Sequence, residues 1–308
     1  MKDFKKYNPP FGKLHFYLLK SFNMVNFPPF NWFIDTWTWR KQANFFSVLK
    51  NTWKYKLASV GIILSENERK IKALKNSHKG ERCFIIGNGP SLNSCDLTLL
   101  KDEVTFGVNG IYLNEEKMGW APTYYTVEDI FVAEDRCDEI NKYHKPKNKF
   151  FGNYLHYCIE PDEKTLLLNI KADYSLYKNF PHFSKDALRY LWVGGTVSYL
   201  SMQLAYYMGF SEVYLIGFDH SYDIPDDAEI KQSEIMSNSD DPNHFDPSYF
   251  GKGYRWHDPQ VDRMEKSYER AKVEFEKEGR RIINATVEGH LEVFPRVDYK
   301  KVFKKNKV

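Results

Sequence analysis

Residues 83–92 read Cys-Phe-Ile-Ile-Gly-Asn-Gly-Pro-Ser-Leu, and the order of residue types in this stretch indicates a fold class. Its four leading apolar residues are typical of a strand that is buried on both faces. Two glycines and a proline follow, and these residue types mark a tight turn before a helix. A buried strand, a turn and a helix make the first part of a βα unit, so an α/β domain is predicted to begin near residue 80.

The same alternation continues towards the C-terminus. Apolar residues after position 196 recur at helical spacing until Gly209, and a short apolar run follows that glycine. The pattern favours an α/β fold with a Rossmann-like, mostly parallel sheet flanked by helices. The predicted elements are strands over 104–109, 122–127, 212–217 and 281–284, and helices over 197–208 and 258–279.

Residues 223–256 form a polar stretch rich in Asp, Asn, Ser, Pro and Gly. A connection of this length without predicted structure is uncommon in a compact domain and usually has a function. We expect a lid or a disordered active-site loop that closes over a ligand. The catalytic domain is predicted to span residues 80–308, with this lid-like stretch as an insertion.

Positive charge is concentrated at the start of the chain. The first 80 residues hold fifteen Lys and Arg against four Asp and Glu, although the whole chain has a net charge of only +3. Residues 1–79 are predicted to form a basic, aromatic, helical extension that either binds an anionic membrane surface or packs on the main domain. Since no nucleic-acid-binding module accompanies the charge, nucleic acid is not an expected partner.

Apolar runs and cysteine spacing predict the compartment. No run of eighteen apolar residues occurs, and the first residues do not have the pattern of a secretory signal, so we expect a cytoplasmic protein, free or peripheral at the inner face of the membrane. The four cysteines are scattered without metal-ligand spacing, which predicts reduced, structural thiols and no metal site. Exposed aromatic residues would suit a homo-oligomer interface, and the oligomeric state is left open.

The turn after the first predicted strand is a candidate nucleotide-binding loop. Gly87 and Gly89 would let the backbone approach a phosphate or ribose, with Asn88 and Ser91 beside them. The spacing is neither that of a dinucleotide-binding loop nor that of a P-loop, which counts against NAD and Walker-type ATP binding. A plain strand-to-helix turn is the alternative.

Polar residues also follow the other predicted strands. Asn109, Asp219 and the pair Glu128 and Asp129 would gather at the carboxyl edge of a parallel sheet, where ligands of open α/β sheets bind. Asn109 suits a ribose or a base. The two acidic residues suit a metal or a sugar hydroxyl, although Asp129 would equally cap the next helix.

Hydroxyl and imidazole groups complete the candidate site. Thr196 and Ser198 begin a helix, where they either face a phosphate or cap the helix. The hydroxyl of Tyr222 could donate a hydrogen bond to a departing phosphate without a metal. Histidine suits proton abstraction near neutral pH, but the chemistry does not choose among His220, His244 and His257.

Three motifs carry a resemblance to known families: Gly87-Asn88-Gly89-Pro90-Ser91-Leu92, Gly194-Gly195-Thr196-Val197-Ser198 and Tyr214-Leu215-Ile216-Gly217-Phe218-Asp219. Over about residues 80–290 the chain resembles the bacterial lipooligosaccharide sialyltransferases. It also resembles the broad hydroxymethylpterin pyrophosphokinase family, which includes motility-associated proteins. The resemblance implies a GT-A-like sialyltransferase variant of the α/β fold.

The resemblance also implies roles for individual residues. The first loop and Asn109 would hold the CMP moiety, and Asn284 would lie near the cytidine pocket. His257, followed by Asp262, matches the position of the general base, and His244 matches a second histidine upstream. The chain departs from the sialyltransferases at Val197, where they have a serine, so the phosphate-facing role moves to Thr196 or Ser198. A tyrosine that follows the Gly-x-Asp motif is displaced to Tyr222.

The sequence and the resemblance together predict a glycosyltransferase of cell-surface glycan or lipopolysaccharide biosynthesis. It would transfer an acidic keto sugar, such as a sialic acid, from a CMP-sugar donor to a glycan or lipid-linked acceptor, with a histidine base and neither a metal nor a further cofactor. One alternative is an ATP- and magnesium-dependent pyrophosphokinase of a pterin-like alcohol, with Glu128, Asp129 and Asp219 as metal ligands. Another is a non-catalytic scaffold at the membrane surface.

Overall fold

A computed structural model describes residues 53–172, 180–231 and 233–303. The strands are β1 (Arg82–Ile86), β2 (Thr105–Val108), β3 (Tyr124–Val127), β4 (Asn148–Gly152), β5 (Thr165–Leu168), β6 (Ile170–Ala172), β7 (Leu191–Val193), β8 (Glu212–Ile216), β9 (Glu229–Lys231), β10 (Glu234–Met236), β11 (Arg255–His257) and β12 (Arg281–Asn284). The helices are α1 (Glu66–Ala73), α2 (Glu115–Met118), α3 (Ile130–Asp135), α4 (Cys137–Lys142), α5 (Val197–Met208), α6 (Val261–Glu276) and α7 (Tyr299–Val302), and residues 53–59 are also helical.

Seven strands form one sheet in the order β12-β8-β1-β2-β3-β4-β5, and every neighbouring pair is parallel. This confirms the predicted α/β class. The chain builds outward from β1 to β5 and then returns to the other side of β1 with β8 and β12. The strand order therefore reverses between β1 and β8, where open α/β sheets bind their ligands.

Helix α5 crosses one face of the sheet, and all its residues from Val197 to Met208 are buried. Gly209 ends it with φ +91°, a left-handed conformation that glycine adopts without steric cost. Helix α6 buries one stripe against α5 and β12, as its apolar spacing predicts, and exposes its charged residues. Both predicted helices are thus present, although α6 is shorter than the predicted 258–279.

The predicted N-terminal extension is described only from residue 53, and residues 1–52 lie outside the described part of the chain. The side chain of Asn67 on α1 exchanges two hydrogen bonds with the backbone of Leu167, next to the edge of the sheet. The fully buried carboxylate of Glu68 pairs with Lys54 at 2.8 Å. The described part of the extension therefore packs on the main domain.

No helix within the described ranges is both long enough and apolar enough to cross a lipid bilayer.

The 223–256 stretch, predicted to be a lid or a disordered active-site loop, contains regular structure. Strands β9 and β10, with β11 at its end, form a small antiparallel sheet. The guanidinium of Arg255 pairs with Glu134 and Asp135 at the end of α3. Arg136 donates hydrogen bonds to the backbone oxygens of Ser248 and Tyr249. These ionic and polar contacts hold the insertion against α3, which the composition of the stretch alone did not indicate.

We expect Arg255→Gln to destabilise the protein by about 3–5 kcal/mol, because the carboxylates of Glu134 and Asp135 are buried and would lose their cation. The exposed pair of Arg281 with Glu212 is the matched control, and Arg281→Gln should cost about 0–1 kcal/mol. Denaturant-induced unfolding measures both values. Equal losses in the two variants would contradict the anchoring role of Arg255.

Candidate functional site

A cavity of about 620 Å³, including space open to solvent, lies at the carboxyl edge of the sheet where the strand order reverses. It is lined by nine of the twelve residues predicted for donor binding or catalysis and by His220, whereas Glu128 and Asp129 are not in its lining. The predicted residues in its wall are Gly87, Asn88, Gly89, Asn109, Thr196, Ser198, Asp219, Tyr222 and His244.

Two strand-end turns form the base of the cavity and lie very close together. A Cβ atom on Gly87 would be 2.4 Å from the backbone oxygen of Gly217, and one on Gly89 would be 1.8 Å from Oδ2 of Asp219. Ser91 donates to that carboxylate from its backbone N–H at 3.1 Å and from its hydroxyl at 2.7 Å. The packing between the two turns therefore requires both glycines, independently of any approach of a ligand to their backbone.

The chain after this turn is not the α-helix that the sequence suggested. Residues Pro90–Ser94 form a short 3-10 helix, and Cys95 is extended. A 3-10 turn of this length has little of the dipole that attracts a phosphate. The start of the twelve-residue α5, which also reaches the cavity through Thr196 and Ser198, is the better place for an anion.

Thr196 both caps α5 and lines the cavity. Its hydroxyl oxygen accepts a hydrogen bond from the backbone N–H of Ser198 at 3.3 Å. The preceding Gly195 has φ +82°, so the chain turns sharply into the helix. The capping role is thus present, and the hydroxyls of Thr196 and Ser198 lie in the cavity wall beside the positive end of the helix.

Asn88 and Asn109 are two residues of the cavity wall that carry carboxamides. Nδ2 of Asn88 donates to the backbone oxygen of Val108 and to the hydroxyl of Tyr249, both at 3.0 Å. The Oδ1 atoms of Asn88 and Asn109 are buried without a hydrogen-bond partner in the structure. A buried acceptor costs free energy until it finds a donor, so these two oxygens favour a ligand that carries N–H or O–H groups.

Tyr222 is a half-buried residue of the cavity wall. Burial, and then the nearby carboxylate of Asp219, raise the pKa of Tyr222 to about 12. Its hydroxyl therefore keeps its proton near neutral pH, and a protonated phenol can donate a hydrogen bond to an anionic oxygen.

His244 is one of two histidines that the cavity contains, and it is held by a carboxylate. Its Nδ1 lies 2.7 Å from Oδ2 of Asp241, whose side chain is buried. The imidazole stacks on the ring of Tyr249 with centroids 4.0 Å apart and planes 4° from parallel. The other histidine is His220, which has φ +57° and whose Nε2 lies 3.2 Å from Glu265 on α6.

His257, the predicted base, lies outside the lining of the cavity. Its Nδ1 contacts Oδ2 of Asp129 at 2.7 Å, and its ring stacks on Phe131 with a 4.2 Å centroid separation. Its side chain is 43% exposed. Asp129 also caps α3 through the backbone N–H groups of Phe131 and Val132, so the capping alternative is correct for that residue. The base role of His257 stays a prediction.

Ser91 and Asn284 are the other predicted residues outside the cavity wall. Ser91 positions Asp219, as described above. Asn284 is fully buried, donates to the backbone oxygen of Leu291 at 2.8 Å and accepts from the backbone N–H of Thr286 at 2.9 Å. Its side chain holds the segment that follows β12, and its proximity to a cytidine pocket stays a prediction.

Sequence reasoning missed three residues that shape the site. Asp241 orients His244, Tyr249 supports the imidazole, and Tyr268 reaches the cavity from α6. The Asp241-Pro-Asn-His244 spacing was a usable signal, because residues three apart in a tight loop can share a hydrogen bond. Nothing local distinguishes Tyr249 or Tyr268 from the other tyrosines of the chain.

Within residues 53–172, 180–231 and 233–303, no three His, Cys, Asp or Glu side chains cluster as a metal site. The three carboxylates proposed for magnesium under the pyrophosphokinase alternative are not brought together as such a group. Asp129 is engaged with His257 and with α3, and Asp219 with Ser91. The four cysteines carry free thiols, and three of them are buried.

The chain belongs to the MptE-like family, whose model is described as 6-hydroxymethylpterin diphosphokinase MptE-like and matches residues 63–225, more than half of the 308 residues. This confirms the resemblance to the broad family. A solved structure of the MAf glycosyltransferase from Magnetospirillum magneticum AMB-1 matches with a TM-score of 0.45 and 13% identity. That match covers 94% of this chain and 47% of the other, so the chain spans about half the length of that protein. No curated protein matches the sequence.

We predict that the ion pair of His257 with Asp129 stabilises the fold more at pH 5.5 than at pH 8.5. Burial lowers the pKa of His257, but the Asp129 carboxylate outweighs it and the net shift is upward. The contribution is then complete below about pH 6.5, the ordinary histidine value, and is lost as pH rises through the higher folded value. The melting-temperature loss caused by His257→Gln should therefore shrink at pH 8.5.

His156→Gln is the control for this measurement, since Nδ1 of His156 lies against a backbone oxygen, that of Asn153. A His257→Gln loss that is independent of pH, or one that grows with pH, would contradict the assignment.

The packing of the two turns predicts that alanine costs more stability at Gly217 than at Gly119. Gly217 and Gly119 have nearly equal φ angles of +70° and +72°, but a Cβ on Gly217 would lie 2.7 Å from Leu92, whereas one on Gly119 would meet nothing within 4 Å. Gly119→Ala should cost about 1 kcal/mol from backbone strain alone, and Gly217→Ala about 1–3 kcal/mol more from crowding. Urea unfolding measures the difference, and equal costs would show that the turns are not tightly packed.

Proposed function

We propose that this protein transfers an acidic keto sugar from a CMP-sugar to a hydroxyl of a cell-surface glycan or lipid-linked acceptor. The observation that carries the proposal is the division of one cavity into two chemical regions. Buried acceptor oxygens of Asn88 and Asn109 suit the amino and hydroxyl groups of a nucleoside. The start of α5, with Thr196 and Ser198, suits a phosphate.

The proposed reaction is a direct displacement at the anomeric carbon. The acceptor oxygen forms the new bond as the bond to the phosphate of CMP breaks, and CMP leaves with the electron pair. Tyr222, which keeps its proton, donates a hydrogen bond to the departing phosphate, and the N-terminus of α5 stabilises its charge. A histidine receives the proton of the acceptor hydroxyl. No metal or further cofactor is part of this proposal.

The diphosphokinase activity in the description of the family is the second candidate. A transfer of diphosphate from ATP generally needs magnesium and oxygen ligands to hold it. The engagement of Asp129 and Asp219 with other side chains favours sugar transfer over this reaction. The third candidate, a non-catalytic scaffold, would leave the buried oxygens of Asn88 and Asn109 without a role.

The partners and location follow from the same proposal. The donor is a nucleotide sugar and the acceptor is a glycan or a lipid-linked glycan. Under this proposal the enzyme acts in the cytoplasm, either free or bound to the inner face of the membrane through its basic N-terminal segment. A homo-oligomer is compatible with this arrangement.

The first test is a thermal-shift comparison with CMP, ATP, UDP and GDP, each with magnesium and with EDTA. A ligand that binds only the folded state raises its stability by about 2.7 kcal/mol at a hundred times its Kd. CMP is expected to raise the melting temperature in EDTA. Stabilisation by ATP with magnesium alone would support the diphosphokinase, and no stabilisation by any nucleotide would support the scaffold.

The variant Asn109→Gly sharpens this test. Asn109 has φ +47°, so glycine keeps the backbone and removes only the carboxamide. The stabilisation by CMP should fall by the equivalent of about a tenfold or greater loss of affinity. Asn76→Gly is the matched control, because Asn76 has φ 56° and lies beside Tyr207 and Gly209 at the other end of α5. Equal CMP shifts in both variants would contradict a ligand role for Asn109.

A further inference from the structure

We infer that His244, oriented by Asp241, is the general base of this site, and that His257 holds the insertion in place. The inference rests on the proposed sugar transfer, which requires a group that takes the proton of the acceptor hydroxyl. It differs from the assignment that the resemblance implies, because the geometry of the cavity selects a different histidine.

The position of His244 is the first argument. A general base must lie within hydrogen-bonding reach of the proton that it removes, and His244 lies in the wall of the same cavity as Thr196 and Tyr222. Because Nδ1 is occupied by Asp241 at 2.7 Å, Nε2 is the ring nitrogen that remains for a ligand.

The carboxylate behind His244 is the second argument. Oδ1 of Asp241 accepts a hydrogen bond from the backbone N–H of Asn243 at 2.8 Å, and Oδ2 accepts one from that of Phe250 at 2.9 Å. Burial raises the pKa of Asp241, but its hydrogen bond to His244 and these N–H groups outweigh it and hold the pKa below its usual value. An ionised Asp241 can only accept, so in the neutral imidazole the proton is on Nδ1 and Nε2 has a free lone pair.

The rigidity of the imidazole is the third argument. Its face lies on Tyr249, and the ring of Phe250 meets it edge-on at 5.1 Å. Tyr249 is itself fixed, since its hydroxyl accepts from Asn88 and from the backbone N–H of Gly110 at 3.2 Å, and Arg136 binds its backbone oxygen. A base whose direction is set by packing and by a second group needs little reorganisation when the substrate arrives.

The charged and titratable groups around His244 are compatible with this role. Asp241 faces Nδ1, Tyr249 lies under the ring, and Arg136 is behind Tyr249 at 5.9 Å from its ring centroid. The groups that share the cavity wall with His244 are Asp219, His220, Tyr222 and Tyr268.

His257 has a similar carboxylate partner but a different setting. It ends β11, stacks on Phe131 and pairs with Asp129 at the start of α3. Arg255, two residues earlier, pairs with both acidic residues at the end of α3. The two pairs hold β11 along α3, and β11 is the edge of the small sheet of the insertion. His257 therefore has a structural role, which it shares with Arg255, in holding the insertion against α3.

In the proposed step, Nε2 of His244 takes the proton of the acceptor hydroxyl while the oxygen bonds to the anomeric carbon. The carbon–oxygen bond to CMP breaks, and CMP keeps that electron pair. The neutral imidazole thereby becomes an imidazolium, and the carboxylate of Asp241 at Nδ1 stabilises its positive charge.

The test compares His244→Gln, Asp241→Asn and His257→Gln in the full-length chain. The readout is CMP release from CMP-N-acetylneuraminic acid with a galactoside acceptor, together with the CMP thermal shift of each variant. His244→Gln should lower kcat by about a hundred- to ten-thousandfold while the CMP shift is retained. His257→Gln should change kcat less than about threefold at a temperature at which the variant is folded. The opposite order for the two histidines would overturn the inference and leave the proposed function standing.

Asp241→Asn tests whether Asp241 orients His244, and its readout differs from that of a simple loss of stability. An asparagine amide can donate to Nδ1 and so favour the proton on Nε2, which removes the base without removing the imidazole. We expect kcat to fall at least about tenfold and the rising limb of its pH profile to move. An unchanged pH profile would overturn the role of Asp241.

A measurement independent of turnover completes the test. In ¹⁵N-histidine NMR spectra at pH 8, with the His244 signals assigned through their absence in His244→Gln, Nε2 should be unprotonated in the wild type and protonated in Asp241→Asn. A wild-type Nε2 that carries the proton would overturn the inference. Failure of the wild type both to shift with CMP and to release it would instead overturn the proposed function and the inference with it.

Discussion

The structure depends on the contact between the two turns at the carboxyl ends of β1 and β8. Gly87 donates to the backbone oxygen of Ile216 at 2.8 Å, and Gly89 donates to that of Gly217 at 3.0 Å. No side chain fits between them. The sheet reverses its strand order at this point, which leaves a crevice above the two turns. The hydrogen bond between Ser91 and Asp219 links the two turns.

The second constraint is the way in which the insertion completes the cavity. The backbone N–H of Phe245 donates to the backbone oxygen of Asn88 at 2.9 Å, so the insertion is bonded directly to the first turn. Its far side is held by Arg136 and Arg255, whose guanidinium groups are mostly buried against α3. A buried cation that loses its partners is costly, so these contacts specify one position for the wall that carries His244.

Much of the fold and part of the site could be predicted from local patterns. Apolar runs located β1, β2, β3, β8 and β12, and the polar residues after them did gather at one edge. Strands β4 and β5 were not predicted. The apolar run Leu166-Leu167-Leu168 of β5 is short, and β4 contains a buried Lys149 that pairs with Asp162 at 2.8 Å. A lysine in a core strand looks like a solvated position until its distant partner is known.

The α/β class, the glycine turns and the residues that follow the strands could be read from local patterns, because these features depend on interactions within a few positions of the chain. The positions of the histidines relative to the cavity follow from the tertiary structure, which brings His244 into the wall and leaves His257 outside it. His244 and His257 both have an aspartate at 2.7 Å, but one aspartate is three residues away and the other is 128 residues away on a different strand end. Which pair meets the cavity depends on how the insertion packs against α3, and that packing arises from contacts between residues far apart in the chain.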